Sequence, residues 1–279
     1  MTTVGGGGRK GIAWAIDHAL TKVHSSGILR PFGATGKLWS GGWGREEVFH
    51  RLTRIHRQRQ HMRGTQYPHS PPPDIRWLQP QSLGGGCHVW EGTFETPVSD
   101  DTLPAASRTV TVSLLPPPAV KPPPAPGPHP SAAVSPPRGG GTPVWVFLAG
   151  TGEHGMGTRT RISLPLVREG AAVLILESAF YGARRPREQS GSKLLHVYDL
   201  LALGNATIEE GLALQGWLGG AGFGPVGVCG FSMGGVHAMM TACVSKGPVA
   251  LVSLLAPRCA SQVFTDGALA AAVDWGALA

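Results

Sequence analysis

The chain has 279 residues, of which 42% are hydrophobic and 15% charged, which is enough apolar material for one large domain or two small ones and argues against wholesale disorder. Its longest apolar runs, at 171–176 and 249–257, are too short to cross a membrane. Four cysteines without a C-x-x-C pair argue against a disulfide scaffold and a structural zinc site. We expect no metal and no cofactor.

The formal net charge of +7 is concentrated in the first quarter of the chain, where residues 1–76 hold twelve Lys/Arg against four Asp/Glu. A basic face of this kind could contact an anionic membrane, and a solvated helix surface explains it equally well. No recognised binding fold accompanies the arginines at 45–63, so we expect no nucleic-acid partner. Segment 12–23 lacks the apolar region of a secretory signal, which predicts an intracellular protein, cytoplasmic or mitochondrial.

Residues 1–80 are predicted to form a basic helical segment packed on, or leading into, a domain over 81–279. Apolar positions between Val48 and Met62 predict a helix at 46–62 with its arginines facing solvent. A second helical pattern at 12–23 competes with an organellar transit peptide as the interpretation of the N-terminus.

Two strands are predicted at 87–94 and 108–115, where the second alternates apolar and polar residues. The segment 116–143 follows, and twelve of its residues are proline. A polyproline-like segment cannot pack a core, and two strands alone cannot stand as a domain. We therefore interpret 116–143 as a disordered loop inserted into one sheet rather than an interdomain linker.

Beyond residue 143, short continuous apolar runs alternate with helical patterns. The runs lie at 144–148, 171–176, 225–229 and 249–255, and the helical patterns at 161–169, 193–218 and 234–244. Buried strands alternating with helices are typical of an α/β fold with a mostly parallel sheet covered on both faces.

A G-x-S-x-G motif, Gly230-Phe231-Ser232-Met233-Gly234, joins the run at 225–229 to the helix after it. In a strand–turn–helix context this motif forms a sharp nucleophile elbow, which needs small neighbours and raises the serine above the sheet edge. The first helical amides then point at a developing oxyanion. We predict Ser232 as a nucleophile and the Met233 N–H as an oxyanion donor, with an inert serine in a glycine-rich turn as the alternative.

The second informative loop is 148–154, Leu-Ala-Gly-Thr-Gly-Glu-His, directly after an earlier strand. An α/β-hydrolase takes its other oxyanion donor from this loop. We predict the Thr151 N–H for that role, with Gly150 and Gly152 allowing the backbone to approach the substrate. A phosphate-binding loop is the alternative, but no G-K-[ST] follows.

Four stretches, Gly42-Trp43-Gly44 and residues 148–154, 176–186 and 198–235, resemble the α/β-hydrolase domain-containing protein 18 family. The resemblance implies the α/β-hydrolase sheet, with 87–115 as its first antiparallel strand pair, and a serine hydrolase acting on a small-molecule or lipid ester or a thioester. It also favours a structural role for residues 10–60. His154 lies in a matching stretch, so we expect it to line the pocket, with a surface position in the loop as the alternative.

Tyr181, Arg184 and Arg185 follow the strand at 171–176, at the carboxyl end of the sheet where ligands bind. We predict that they contact substrate, because an arginine pair suits a phosphate or carboxylate group. A surface loop is the alternative. The basic N-terminal quarter makes an ester of an anionic lipid one expected substrate.

In an α/β-hydrolase the catalytic acid and then the catalytic histidine follow the nucleophilic serine along the chain. No histidine lies beyond His237, which is five residues past Ser232 and about 140° around the same helix. Asp266 and Asp274 follow no recognisable seventh strand. We therefore expect the last two strands to be lacking and the base and acid to lie outside this chain, with a non-catalytic hydrolase-like binder or a fragmentary gene model as the alternative. The uncovered strand at 249–255 is expected to self-associate or hold a partner.

Overall fold

The computed structural model describes residues 36–62, 64–99, 101–120, 139–267 and 269–279. The helix predicted at 12–23 and the central part of the proline-rich segment lie outside the described residues. The described chain folds around a mixed eight-stranded sheet, antiparallel in its first half and parallel in its second, with helices on both faces. This confirms the predicted α/β class.

All six predicted strands are present, and two short ones, β1 and β2, were not predicted. The strands are β1 (Arg76–Trp77), β2 (Gln81–Gly84), β3 (Cys87–Glu95), β4 (Thr109–Leu115), β5 (Val144–Leu148), β6 (Ala172–Leu176), β7 (Val226–Phe231) and β8 (Ala250–Leu254). Their order across the sheet is β1-β3-β4-β6-β5-β7-β8, with β2 paired to β3 beside this path. Strands β1 to β4 pair antiparallel, and β5 to β8 run parallel.

Four helices begin and end within a few residues of the predicted patterns, and two short ones, α5 and α6, were not predicted. They are α1 (Glu46–His61), α2 (Gly157–Arg168), α3 (Val197–Gly220), α4 (Met233–Val244), α5 (Ala260–Thr265) and α6 (Trp275–Leu278). Although α3 has 24 residues, no helix in the described part of the chain is both long and apolar enough to cross a bilayer.

The alternation of side chains along the central strands separates the core into two faces. Leu174 of β6 packs with Leu214 of α3 and Ala238 of α4 on one face. Ile175, the next residue, packs with Val167 of α2 on the other face. Because both faces are covered, every residue of β6 is buried, which explains its continuous apolar sequence.

The N-terminal segment shares a core with the rest of the chain. Leu52 of α1 is fully buried in a cluster with Leu203 of α3. The Leu38 N–H donates to the Ala272 carbonyl at 2.7 Å, and the rings of Trp39 and Phe264 lie 4.6 Å apart. Residues on both sides of position 80 therefore form one hydrophobic cluster.

The prediction that the arginines of α1 face solvent is wrong for one of them. Arg59 is buried and donates to the Tyr67 hydroxyl at 2.8 Å and to Asn205 at 2.7 Å. It also forms an ion pair with Glu209 of α3. These partners come from other elements, so the helical pattern of α1 alone could not indicate the burial of this guanidinium.

Candidate active site

The turn between β7 and α4 has the geometry of a nucleophile elbow. Ser232 has φ +55° and ψ −119°, a combination that is strained for a residue with a side chain. The strain is supported from β8, because the Ser232 N–H donates to the Leu254 carbonyl at 2.8 Å. The Gly235 N–H closes the turn by donating to the Ser232 carbonyl at 2.9 Å.

The glycines around Ser232 are required by close backbone approaches. A Cβ on Gly230 would lie 2.1 Å from the Gly234 carbonyl oxygen, and a Cβ on Gly234 would lie 2.5 Å from the Leu148 carbonyl oxygen. Real carbon atoms do not approach so closely. The start of α4 therefore packs directly on the end of β5, and no larger residue fits at either position.

The loop after β5 runs beside the elbow. Leu148 is the register partner of Gly230 in the parallel β5–β7 pair, and a Cβ on Gly150 would lie 3.3 Å from the Phe231 carbonyl oxygen. Met233 is the first residue of α4. The structure thus brings Ser232, Met233 and the loop containing Thr151 to one edge of the sheet.

The Ser232 side chain lacks a hydrogen-bonded histidine among the described residues. No hydrogen bond within that part of the chain involves its Oγ. Asp266 is exposed and accepts from the Thr265 hydroxyl at 2.7 Å, and Asp274 precedes α6. His237 is buried against Gly204 of α3, and burial, with smaller contributions from His56 and Arg59, lowers its pKa to about 4.

His154 uses both ring nitrogens within the loops of this edge. Its Nδ1 accepts from the Gly182 N–H at 2.9 Å, and its Nε2 lies 3.0 Å from the Ser192 hydroxyl. The Ser192 hydroxyl donates to the Gly152 carbonyl at 3.0 Å. Burial, and then the charge of Arg185, lower the pKa of His154.

The predicted contact of Arg184 with substrate is wrong. Arg184 is fully buried and pairs with the buried Glu210. Its guanidinium forms two hydrogen bonds to Glu210, at 2.6 and 2.8 Å. It also donates to the carbonyl oxygens of Ser107 and Glu177, both at 2.7 Å. A buried carboxylate needs such a partner, and this bidentate pairing leaves Arg184 no free face.

The other two predicted substrate contacts have different surroundings. Tyr181 is fully buried, with its ring edge-on to His154 at 5.6 Å, and burial raises its pKa. Arg185 is exposed and donates to the Gln189 carbonyl at 2.8 Å. Of the three, only Arg185 presents its charged group to solvent near the edge.

Glu177 is a buried carboxyl group at the end of β6. Its Oε2 has no hydrogen-bond partner, and burial raises its pKa, against the opposing effect of backbone N–H groups of Ala183 and Gly155. A Cβ on Gly182 would lie 1.8 Å from Glu177 Oε1. Gly182, at φ +55°, is therefore required for this carboxyl group to fit under the loop.

Two polar residues at this edge, Arg159 and Ser192, were not predicted from sequence. Arg159 of α2 donates to Glu153 Oε1 at 2.8 Å, and Ser192 contacts His154. Arg159 is the third residue of α2 and lies six positions after Glu153. This spacing of an acid and an arginine at the start of a helix was the sequence feature that could have indicated the pair. No local pattern indicated Ser192.

A mixed sheet whose parallel part carries a strained serine between strand and helix, next to a glycine-containing loop, is typical of an α/β-hydrolase. The sequence model described as alpha/beta hydrolase domain containing 18 matches residues 36–279. The chain therefore belongs to the alpha/beta hydrolase domain containing 18 family, as its resemblance predicted.

The solved structures to which this chain shows similarity include several esterases. An acetyl xylan esterase from Paenibacillus sp. R4 is 12% identical, with a TM-score of 0.49, over 83% of this chain and 68% of that chain. A cold-adapted esterase from an Arctic intertidal metagenomic library is 15% identical, with a TM-score of 0.39, over 60% of this chain and 59% of that chain. A brefeldin A esterase, described as a bacterial homologue of human hormone sensitive lipase, is 15% identical, with a TM-score of 0.34, over 80% of this chain and 50% of that chain.

Proposed function

We propose that the protein is a serine hydrolase that cleaves an acyl ester or thioester through Ser232. The observation that carries this proposal is the elbow itself. Ser232 holds a strained backbone conformation, and neighbouring glycines are required by backbone atoms within 2.1 to 2.5 Å. Strain of this kind persists only where the surrounding structure enforces it, and it is concentrated at functional sites.

In the proposed reaction, Ser232 Oγ attacks the acyl carbon and gives its proton to a general base. The bond from that carbon to the leaving oxygen of an ester, or to the leaving sulfur of a thioester, then breaks. The departing alcohol or thiol takes the proton from the base. Water attacks the acyl-enzyme in the same way and releases the acid. The Met233 and Thr151 N–H groups hold the oxyanion, and each donor of this type contributes about 10²–10³ in turnover.

The proposal requires a general base that is not assigned to a residue of the described chain. His154 has its only basic nitrogen occupied by the Gly182 N–H, and His237 is buried against α3. The reaction is therefore proposed with Ser232 as nucleophile and with no residue assigned as its base.

The surroundings of Ser232 favour an apolar acyl group. Phe231 and Leu254, which flank the serine, are 52% and 50% exposed, and Leu255 is 80% exposed. Apolar surface next to a nucleophile can bind an acyl chain through the hydrophobic effect. We accordingly propose a small-molecule or lipid ester as the substrate.

Contact with an anionic membrane is proposed for the exposed side of α1. Arg54 and Arg57 are exposed there, whereas Arg51 pairs with Asp101 and Arg59 is buried. Two free arginines contribute only about 2 kcal/mol at an anionic surface. The contact would therefore be weak and would need a second anchor, such as the substrate itself.

Turnover of the full-length protein tests the proposed function. Short- and medium-chain p-nitrophenyl esters and matched thioesters should be hydrolysed, and Ser232→Ala should lower turnover by about 10⁴–10⁶. Ser163→Ala is the matched control, because Ser163 is a buried serine of α2 that donates to the Thr160 carbonyl at 2.8 Å. Turnover by the Ser232→Ala variant equal to that of the wild type would contradict the assignment of Ser232 as the nucleophile.

The second candidate is a non-catalytic hydrolase-like binding protein. It is favoured by one observation, that within the described residues the Ser232 hydroxyl has no hydrogen-bond partner. Binding of the same esters, seen as a rise in melting temperature without turnover, would favour this candidate.

A further inference from the structure

A buried guanidinium ties the loop after β5 to the central strands. We name residues 150–155 the oxyanion loop. Arg159, which is 4% exposed, donates to the carbonyl oxygens of Phe147 and Leu176, at 3.0 and 2.6 Å. These are residues of β5 and β6, so Arg159 bridges the ends of two neighbouring strands.

The same arginine fixes the acid that holds the start of the oxyanion loop. Arg159 Nε donates to Glu153 Oε1 at 2.8 Å, and Glu153 Oε2 accepts from the Gly150 N–H at 3.3 Å. The carboxylate thus connects the strand ends to the residue before Thr151. We name Arg159 and Glu153 the first clamp.

His154 and Ser192 form a second clamp on the other side of Thr151. A backbone N–H can only donate and a carbonyl can only accept. His154 Nδ1, which accepts from Gly182, is therefore unprotonated, and its Nε2–H donates to the Ser192 hydroxyl. That hydroxyl in turn donates to the Gly152 carbonyl. Donor and acceptor are therefore defined for each of these three hydrogen bonds.

The two clamps act on the residues directly before and after Thr151. The first holds the Gly150 N–H and the second holds the Gly152 carbonyl. The end of the oxyanion loop is also held, because Arg159 Nη2 lies 3.4 Å from the Gly155 carbonyl oxygen. Loops of this kind are ordinarily the mobile parts of a fold, yet the side chains here fix this one at both ends.

We propose that Arg159, Glu153, His154 and Ser192 are positioning residues that hold the oxyanion loop in its reactive shape before substrate binds. The inference rests on the proposed function, because it concerns the donor opposite Met233. An N–H fixed in advance stabilises a developing charge without reorganisation at the moment of reaction. His154 thereby acts through the Thr151 amide and is not the base for Ser232.

The test uses a fluorophosphonate on the full-length protein. Ser232 Oγ bonds to phosphorus, the phosphorus–fluorine bond breaks, fluoride leaves, and the serine proton passes to the base. The phosphoryl oxygen occupies the oxyanion site. In Ser192→Ala and Glu153→Gln we expect the rate of the bonding step to fall about 10- to 100-fold, with the probe's binding constant within about twofold. Ser192→Thr keeps the hydroxyl and should recover the rate, and Ser163→Ala should leave it unchanged.

Amide hydrogen exchange of the oxyanion loop is the second measurement, and it does not depend on activity. Peptides covering 150–155 should exchange about five- to tenfold faster in Ser192→Ala than in wild type or Ser163→Ala. In one outcome the wild type labels at Ser232, while the clamp variants keep both the wild-type labelling rate and the wild-type amide exchange rate of the oxyanion loop. That result overturns the positioning role of the clamps and leaves the proposed function intact. If wild type does not label, the proposed function fails, and exchange alone decides: faster exchange supports the clamps and unchanged exchange overturns them.

Discussion

The two flanks of Ser232 are built in opposite ways. On the β6 flank, buried charges fill the space under the loops, with Arg184 paired to Glu210 and Arg159 paired to Glu153. On the β8 flank, Leu251 and Leu254 are about half exposed, at 44% and 50%. One sheet therefore carries a closed, hydrogen-bonded flank and an open, apolar flank.

The difference separates what each flank contributes. The closed flank contains the contacts that fix the oxyanion loop, so substitutions there should change stability and the reactive geometry. The open flank holds the serine through one backbone bond to Leu254, and its exposed leucines are accessible to a substrate or a partner.

Removing Arg184 should give the largest loss of stability. Arg184→Met leaves Glu210 buried without its partner, and breaking a buried pair in this way costs about 3–5 kcal/mol in the free energy of unfolding. Arg185→Met, at the exposed neighbour, should change it by less than about 0.5 kcal/mol. Urea denaturation measures both, and adding Glu210→Leu to Arg184→Met should recover much of the loss. Equal stability of the two single variants would contradict the closed flank.

A side chain on Gly230 should disrupt the elbow. Its Cβ would lie 2.1 Å from a backbone oxygen, so Gly230→Ala should cost about 3 kcal/mol in unfolding free energy, at the upper end for overpacking. Gly219→Ala is the matched control. Nothing lies within 4 Å of a Cβ at Gly219 in α3, and this change should stabilise the protein by up to about 1 kcal/mol. Thermal unfolding of both variants checks the contrast.

Stability should fall in mild acid because of His237. Its pKa is about 4 in the fold, against 6.5 for an ordinary histidine. The unfolded chain therefore takes up a proton first as the pH falls below 6.5, and the fold loses about 3 kcal/mol between that pH and 4. The loss is absent above pH 6.5, where both states are neutral. His237→Leu should flatten this part of the curve of unfolding free energy against pH, and an unchanged slope would contradict the burial of a neutral imidazole.

The open flank should show its effect in association rather than in stability. β8 carries no charge to block edge-to-edge pairing, so we expect the chain to self-associate through it. Leu251→Lys should weaken that association by about tenfold or more, measured by sedimentation equilibrium. Ile162→Lys on α2, at a residue that is 61% exposed, is the control and should have no effect. A monomeric wild-type chain would contradict the expectation.

The strands and the elbow could be predicted from sequence because their causes are local. Both faces of β6 are covered, so its residues read as one apolar run, and the predicted bounds differ from the observed ones by a single residue. The elbow followed from the glycines two positions before and after Ser232, between a predicted strand and a predicted helix. The two-residue β1 and the fully exposed β2 have no such pattern, and neither was predicted.

The surroundings of the site could not be predicted because they depend on distant residues. Arg184 and Arg185 are adjacent and of one type, yet only Arg184 meets Glu210, 26 positions later. Ser192 lies 38 positions from His154 and 40 from Gly152. Their roles are set by how the loops after β5 and β6 come together in space, which local spacing does not encode.

The most direct measurement is the position of a covalent adduct. The full-length protein is treated with a fluorophosphonate, digested, and mapped by mass spectrometry. We expect a single adduct on Ser232, lost in Ser232→Ala and retained in Ser163→Ala. An adduct on another serine, or equal labelling of the Ser232→Ala variant, would contradict the assignment of Ser232 as the nucleophile.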